Sequence, residues 1–241
     1  MRSIWLIARR EFVSIVRSPL GFIIGSIYLA VVGLYFNGFV LGNGEQYSSD
    51  VLSDFFYALS GFTMFFTVFI SMGTLAKERE NGTIALLLTS PLQDYQIILG
   101  KFFGVWGFLV LLTLATLYLP LLIMVHGKIS WGHVMAGYGG VILLGGASLA
   151  IGLFGSSLTR SQIVAIFVTL GIGTSMVLLW KLGRLADRPL NDIYAYLALH
   201  NLHFMSFRSG KVHLRDIAYY LSVTTFFLFL ATRMLESRRW R

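Results

Sequence analysis

The sequence predicts an all-α polytopic membrane protein. It has six transmembrane helices, an amphipathic interfacial helix ahead of them, a short helix in the first long cytoplasmic connection, and outer-leaflet helices before the last span. Three observations predict this. Hydrophobic residues make up 56% of the 241 and charged residues only 12%, with a mean hydropathy of +0.74, well beyond an ordinary soluble domain. The apolar residues gather in six runs, each at or near the roughly 20 residues that cross a hydrocarbon core. Lys and Arg then collect in alternate connections, the asymmetry that orients membrane spans. The net charge of +8, from 19 Lys and Arg against 11 Asp and Glu, therefore reads as contact with anionic lipid and cytoplasmic loops, with no nucleic-acid partner. The absence of cysteine excludes disulfides, thiolate catalysis and cysteine-held metals.

Residues 1–19 form the interfacial helix. Ile4, Ala8, Phe12 and Ile15 or Val16 share one helical face, while Arg2, Arg9, Arg10, Glu11 and Arg17 supply polar surface. Those charges also break any apolar core of a cleaved signal peptide, and Trp5 suits headgroup depth. Ser18-Pro19 turns the chain into the bilayer, and a single six-span domain occupies 20–241. Spans are expected at 20–41, 55–76, 91–125, 134–158, 163–180 and 217–232. The third is long enough to tilt and tolerates Pro120 near its outer end. The sixth is short, with Arg215 and Arg233 able to snorkel from its ends.

Charge sets the orientation. Arg2, Arg9, Arg10, Arg17, Lys77, Arg79, Lys101, Arg160 and the C-terminal arginines fall on one side, whereas the loop 42–54 holds Glu45, Asp50 and Asp54 and no basic residue. Both termini are therefore expected in the cytoplasm. The loop 181–215 dissents, because most of the outer basic residues lie in it. Ile193, Leu197, His200 and Phe204 recur there at helical spacing, which predicts one or two short helices resting on or dipping into the outer leaflet. His200, His203 and His213 are expected to make interfacial hydrogen bonds and to hold no metal, since no carboxylate pattern accompanies them.

The fourth span carries Ser148, Gly152 and Ser156 at successive four-residue steps. Such a face lets helix backbones approach closely, either as a subunit seam or between spans of one chain. The interiors of the six apolar runs contain no Asp, Glu, Lys, Arg or His. That argues against a proton- or sodium-coupled carrier, and an intramembrane hydrolase would have no base beside its serines. Gly100-Lys101-Phe102 and Gly127-Lys128-Ile129 lack both the upstream glycine and the following hydroxyl of a phosphate loop, so ATP hydrolysis has no basis in this chain. It is expected not to be an enzyme.

The central stretch, 76–101, interrupts this apolar sequence. A charged collar, Lys77-Glu78-Arg79-Glu80, passes through Asn81-Gly82-Thr83 into Ile84–Leu88 and stops at Ser90-Pro91. Thr83 is an acceptable N-cap for a short helix, and Ile84–Leu88 is only about one and a half turns long. That run is too short to span and too apolar to stand bare in water. Ser90, Pro91 and Gln93 provide a cap, a first-position proline and a capping-box partner, so the third span is expected to begin at Pro91, with Asp94, Gln96 and Lys101 at the cytoplasmic boundary. Lys77 and Glu80 could pair along the helix, and Glu78 or Glu80 could instead reach Arg9, Arg10 or Arg17.

This stretch resembles the cytoplasmic connection of type-2 ABC exporter permeases, in which Glu-x-x-x-Gly-Thr leads through an apolar run to Ser-Pro and Gly-Lys. The matching positions are Glu78, Gly82, Thr83, Ser90, Pro91, Gly100 and Lys101, and the order of helices is similar across the whole chain. Residues 203–222 further resemble the gliding-motility-associated subgroup of these permeases. The resemblance implies a permease subunit in the bacterial inner membrane, paired with a second copy and with two separate ATPase subunits that hold ATP and Mg. The chain itself would bind no cofactor. Thr83, Ile84, Leu86, Leu87 and Leu88 would form the coupling helix that enters the ATPase, flanked by Glu78, Glu80, Gly82, Ser90 and Pro91. An accessory membrane protein with an external domain would accompany some such assemblies. The substrate site is unassigned. An alternative is an ATPase-driven scaffold or mechanotransmitter that acts on an envelope process without passing cargo through its spans.

Overall fold

The computed structural model describes residues 2–40, 47–83, 92–126, 128–185, 187 and 189–239. Every regular element among them is helical. Helix α1 (Arg2–Arg17) leads to Ser18, whose extended backbone and hydroxyl, accepting from Gly21 N at 2.9 Å, cap the next helix. Pro19 takes the first position of α2 (Pro19–Tyr35), where its missing N–H costs nothing, and a π-helical turn continues it over Phe36–Val40. The chain then forms α3 (Ser48–Met72), a tight turn and α4 (Ala76–Glu80).

Helices α5 (Asp94–Ala115) and α6 (Tyr118–His126) make up the third crossing. The break between them lies four residues ahead of Pro120, which can neither donate to the Thr116 carbonyl nor pack beside it. Leu119 N donates to that carbonyl instead, at 3.0 Å. The remaining helices are α7 (Trp131–Leu158), α8 (Gln162–Leu185), α9 (Leu190–Leu197), α10 (Asn201–Arg208) and α11 (Leu214–Arg239).

Among the described residues, six segments are long and apolar enough to cross a membrane: Pro19–Phe39, Ser48–Glu80, Asp94–Met124, Trp131–Leu158, Gln162–Leu185 and Leu214–Ser237. The first helix and the later part of the last one, where Thr232, Arg233 and Glu236 stand beside Gln93, Asp94 and Tyr95, lie at one end of the bundle, which is called the terminal end below. The helices run past the apolar runs, because a helix can carry polar turns beyond the hydrocarbon. The sixth reaches Arg239, and the third begins at Asp94 rather than Pro91. Its start is closed by Gln96 Oε1, which accepts from Gln93 N at 3.3 Å, so the box is built one turn later than Ser90.

Helix α7 is the axis of the bundle. Of its most apolar stretch 78% is buried inside the protein, against 11% for α8, which turns Ile163, Val164, Phe167 and Leu182 outward to lipid. Most of its glycines are spaces filled by neighbours: a Cβ at Gly137 would meet the Phe56 ring, and one at Gly152 would meet Ser71 Oγ. Of the two readings of this small-residue face, packing between spans of one chain matches the burial. Ser148, Gly152 and Ser156 lie inside the bundle against α3, α4 and α8, so their small size serves packing within the chain.

Candidate functional site: a buried cation at the terminal end

Helix α1 lies across the start of α5, and two glycines permit the crossing. A Cβ at Gly100 would stand 2.6 Å from Ile7 Cβ, and one at Gly104 would stand 2.6 Å from the Ala8 carbonyl oxygen. Only glycine at both four-spaced positions lets the two backbones approach this closely. Ala8 is buried against them and Phe12 packs on the core, while Trp5 and Leu6 are 70% and 57% exposed on the opposite side. Arg9, Arg10 and Arg17 are exposed as well.

That crossing closes over Lys101, which is 1% exposed. Its Nζ donates to Glu78 Oε1 at 2.8 Å and to the Thr74 carbonyl at 2.8 Å, and it lies 3.4 Å from Glu11 Oε2. One ammonium thus ties α1 through Glu11, the α3–α4 turn through Thr74, and α4 through Glu78 to α5. A cation held in such surroundings needs this much compensation, because its desolvation alone would otherwise cost several kcal/mol. Arg10 adds a longer contact, 3.7 Å to the same Glu78 oxygen. Lys101, expected at the cytoplasmic boundary, turns its side chain inward among α1, α4 and α5. The main partner of Glu78 is Lys101, with Arg10 second.

The collar is fastened on its other side too. Arg79 Nη1 donates to the Ser157 carbonyl at 2.5 Å and to the Thr159 carbonyl at 3.0 Å, at the end of α7. Glu80 Oε2 accepts from Gln162 Nε2 at 2.9 Å and from Gln162 N at 3.4 Å, a carboxylate set at the positive start of α8. Glu80 therefore turns to Gln162 and away from Lys77. Ser156 Oγ accepts from Leu75 N and Ala76 N at 3.1 and 2.9 Å, which satisfies the open donors at the start of α4. Successive residues of one short helix thus grip opposite sides of the bundle: Glu78 holds α1 and α5, Arg79 and Glu80 hold α7 and α8.

Gly82 closes α4. Its φ of +71° lies in the left-handed region, and its N–H returns to the Arg79 carbonyl at 3.1 Å. The Thr83 hydroxyl donates back to the Glu78 carbonyl at 3.2 Å, so Gly82-Thr83 closes α4. Ile84, Leu86, Leu87, Leu88, Ser90 and Pro91, expected to form the coupling helix and the following cap, lie outside the described residues.

The far end carries a second polar cluster, whose partners span too much sequence for spacing to suggest. His203 and Asp216, both fully buried, meet at 2.8 Å, and His203 Nε2 donates to the Tyr196 carbonyl at 3.0 Å. The imidazole joins α9, α10 and α11 and stacks on Tyr219 at 3.7 Å. His200 Nε2 contacts Ser60 Oγ at 2.7 Å, and Arg208 reaches Asp54 at 2.6 Å. Burial pushes the His200 imidazole below its usual pKa, opposed by the Asn201 hydrogen bond and aided by the Arg208 charge. The outer loop is thus two short helices, with Leu199, His200 and Phe204 buried and Ile193 and Leu197 half exposed; the break at 198–200 divides the face expected of them.

Six helices long and apolar enough to cross a membrane, among the described residues, make this a multi-pass membrane protein. Comparison with known proteins identifies the family. A model of the ABC-2 family transporter protein matches residues 5–185. The chain is also 31% identical over 201 residues to the "Probable ABC transporter permease protein NosY" of Pseudomonas aeruginosa, an alignment covering 80% of this chain and 73% of that protein. The chain belongs to the ABC-2 transporter family and is a membrane permease subunit of an ABC transporter. Membership implies an ATPase partner.

Proposed function

We propose that the chain is the permease subunit of an ATP-driven bacterial exporter in the inner membrane, with the terminal end in the cytoplasm. Two copies work with two ATPase subunits, which hold ATP and Mg. The cytoplasmic assignment rests on the basic residues gathered at that end, and the outward direction on the exporter resemblance of 76–101. The observation that carries the proposal is the double fastening of α4 around buried Lys101. A free connection would absorb a push from outside as loop motion. A connection held by Glu78 to α1 and α5, and by Arg79 and Glu80 to α7 and α8, passes it to most of the bundle.

In this mechanism the ATPase engages Ile84–Leu88, closure of the ATPase pair displaces α4, and Lys101 moves α1 and α5 together. No proton or ion transfer is required of the node, because its charges serve only to hold the helices. Replacing Leu86 and Leu87 together with Asp is expected to abolish co-purification with the ATPase and its permease-dependent hydrolysis. Normal stimulation by the doubly substituted protein would show that 84–88 is not the coupling element.

A further inference from the structure

A cleft of about 350 Å³ opens at the terminal end between α1, the start of α2 and the α3–α4 turn, and it borders the fastening of α4 at Glu11, Thr74, Glu78 and Gln162. Its two halves differ in chemistry. The deeper half is apolar, walled by Ile24, Phe69 and Phe108 from three crossing helices. The mouth carries Arg10, Ser14 and Lys77 at the level of α1, the helix that turns Trp5 and Leu6 outward. The cleft therefore straddles the height at which a lipid changes from headgroup to chain.

Its electrostatics favour an anion. Glu11 and Glu78 also line the cleft, but both face Lys101, at 3.4 and 2.8 Å, and that ammonium offsets much of their charge. Lys77 makes no ion pair among the described residues, and Arg10 is 66% exposed with only the 3.7 Å contact to an oxygen that Lys101 already holds. Two cations thus face the mouth with donors to spare. An oxyanion seated between them would gain charge-assisted hydrogen bonds from a guanidinium, an ammonium and the Ser14 hydroxyl.

We propose that this cleft binds a phosphate-bearing anionic glycerolipid of the adjacent leaflet, with its phosphate between Arg10 and Lys77 and an acyl chain along Ile24, Phe69 and Phe108. A free phosphate would leave the apolar half empty, and a lipid without net negative charge would bring its own ammonium up to the two cations at the mouth. The site would seat a lipid beside the hinge between α1 and α4, which the ATPase is proposed to move. Binding itself needs no ATPase, so the proposal stands or falls separately from the coupling mechanism.

The test uses the full chain in phosphatidylcholine nanodiscs doped with a photo-crosslinking phosphatidylglycerol or, separately, the matching phosphatidylcholine probe. Crosslinked peptides are then mapped by mass spectrometry. The anionic probe is expected to label residues 10–24 and 69–77, and the neutral probe much less. Arg10→Gln and Lys77→Gln should each lower anionic labelling by about fivefold, the effect of one basic residue near a membrane surface. Both side chains are exposed, so folding should survive, and Lys77→Arg should restore labelling. Equal labelling by both probes, or unchanged labelling in the double variant, would overturn the proposal. So would displacement of the label by inorganic phosphate alone, which would mark a site for free anions only.

Discussion

Lys101→Met removes the ammonium while keeping much of the side chain's apolar length. In the native protein Lys101 is 1% exposed and neutralises Glu78 at 2.8 Å and Glu11 at 3.4 Å, carboxylates whose side chains are 16% and 14% exposed. Without the cation, two like charges remain close together in a mostly dry site, and the Thr74 carbonyl loses its donor. Breaking a buried pair by removing one partner costs about 3–5 kcal/mol, and the partial exposure of the carboxylates puts this case near 3. For a chain of this size that corresponds to a fall in Tm of roughly 6–12 °C. Thermal unfolding of the purified protein in a fixed detergent, followed by circular dichroism or intrinsic fluorescence, measures it. The decisive comparison is the triple variant Glu11→Gln, Glu78→Gln, Lys101→Met. With no charge left to strand, it should recover most of the loss. If Lys101→Met were as stable as the native chain, or the triple variant no better than the single one, the node would not be the electrostatic lock described here.

Two further outcomes follow from the geometry. Gly104→Val places a branched side chain where a Cβ alone would lie 2.6 Å from the Ala8 carbonyl, so α1 should lift from α5. Spin labels on the exposed faces of the two helices should report a longer separation, and an unchanged distance would contradict the close crossing. The pKa of His200 is lowered below its ordinary value of 6.5, chiefly by burial, so the unfolded chain takes up a proton there before the folded one does. Its contribution to stability is therefore full above about pH 6.5 and declines as the pH falls from there towards the lowered folded value. Stability measured from pH 7.5 to 5.5 should fall with acid, and His200→Gln should flatten that slope.

The Lys101 lock also explains the pattern of residues that resembles the exporter family. Glu78 and Lys101 are the two ends of one short contact, Gly82 is the left-handed stop of α4, and Gly100 makes room for α1. Each position has a physical role in holding the connection to the bundle.

The sequence by itself determined the class of protein and the order of its crossings. Length and hydropathy suffice for that, because a bilayer demands about 20 apolar residues per crossing and satisfies backbone hydrogen bonds only within helices or closed barrels. The terminal-end amphipathic helix and the collar at Lys77–Glu80 were legible for the same reason, as local breaks in an apolar pattern. Only the tertiary structure decided the partners. Lys101 meets Glu11, 90 residues away, and Glu80 meets Gln162, 82 residues away. Ser156, whose spacing left a subunit seam and packing between spans both open, caps α4. His203 finds Asp216 across a helix break that spacing alone did not announce. Periodicity tells which face of a helix is apolar, but not which helix will cover it. A polar group driven from water takes whichever charge or carbonyl the packing brings near, and that neighbour is set by the fold.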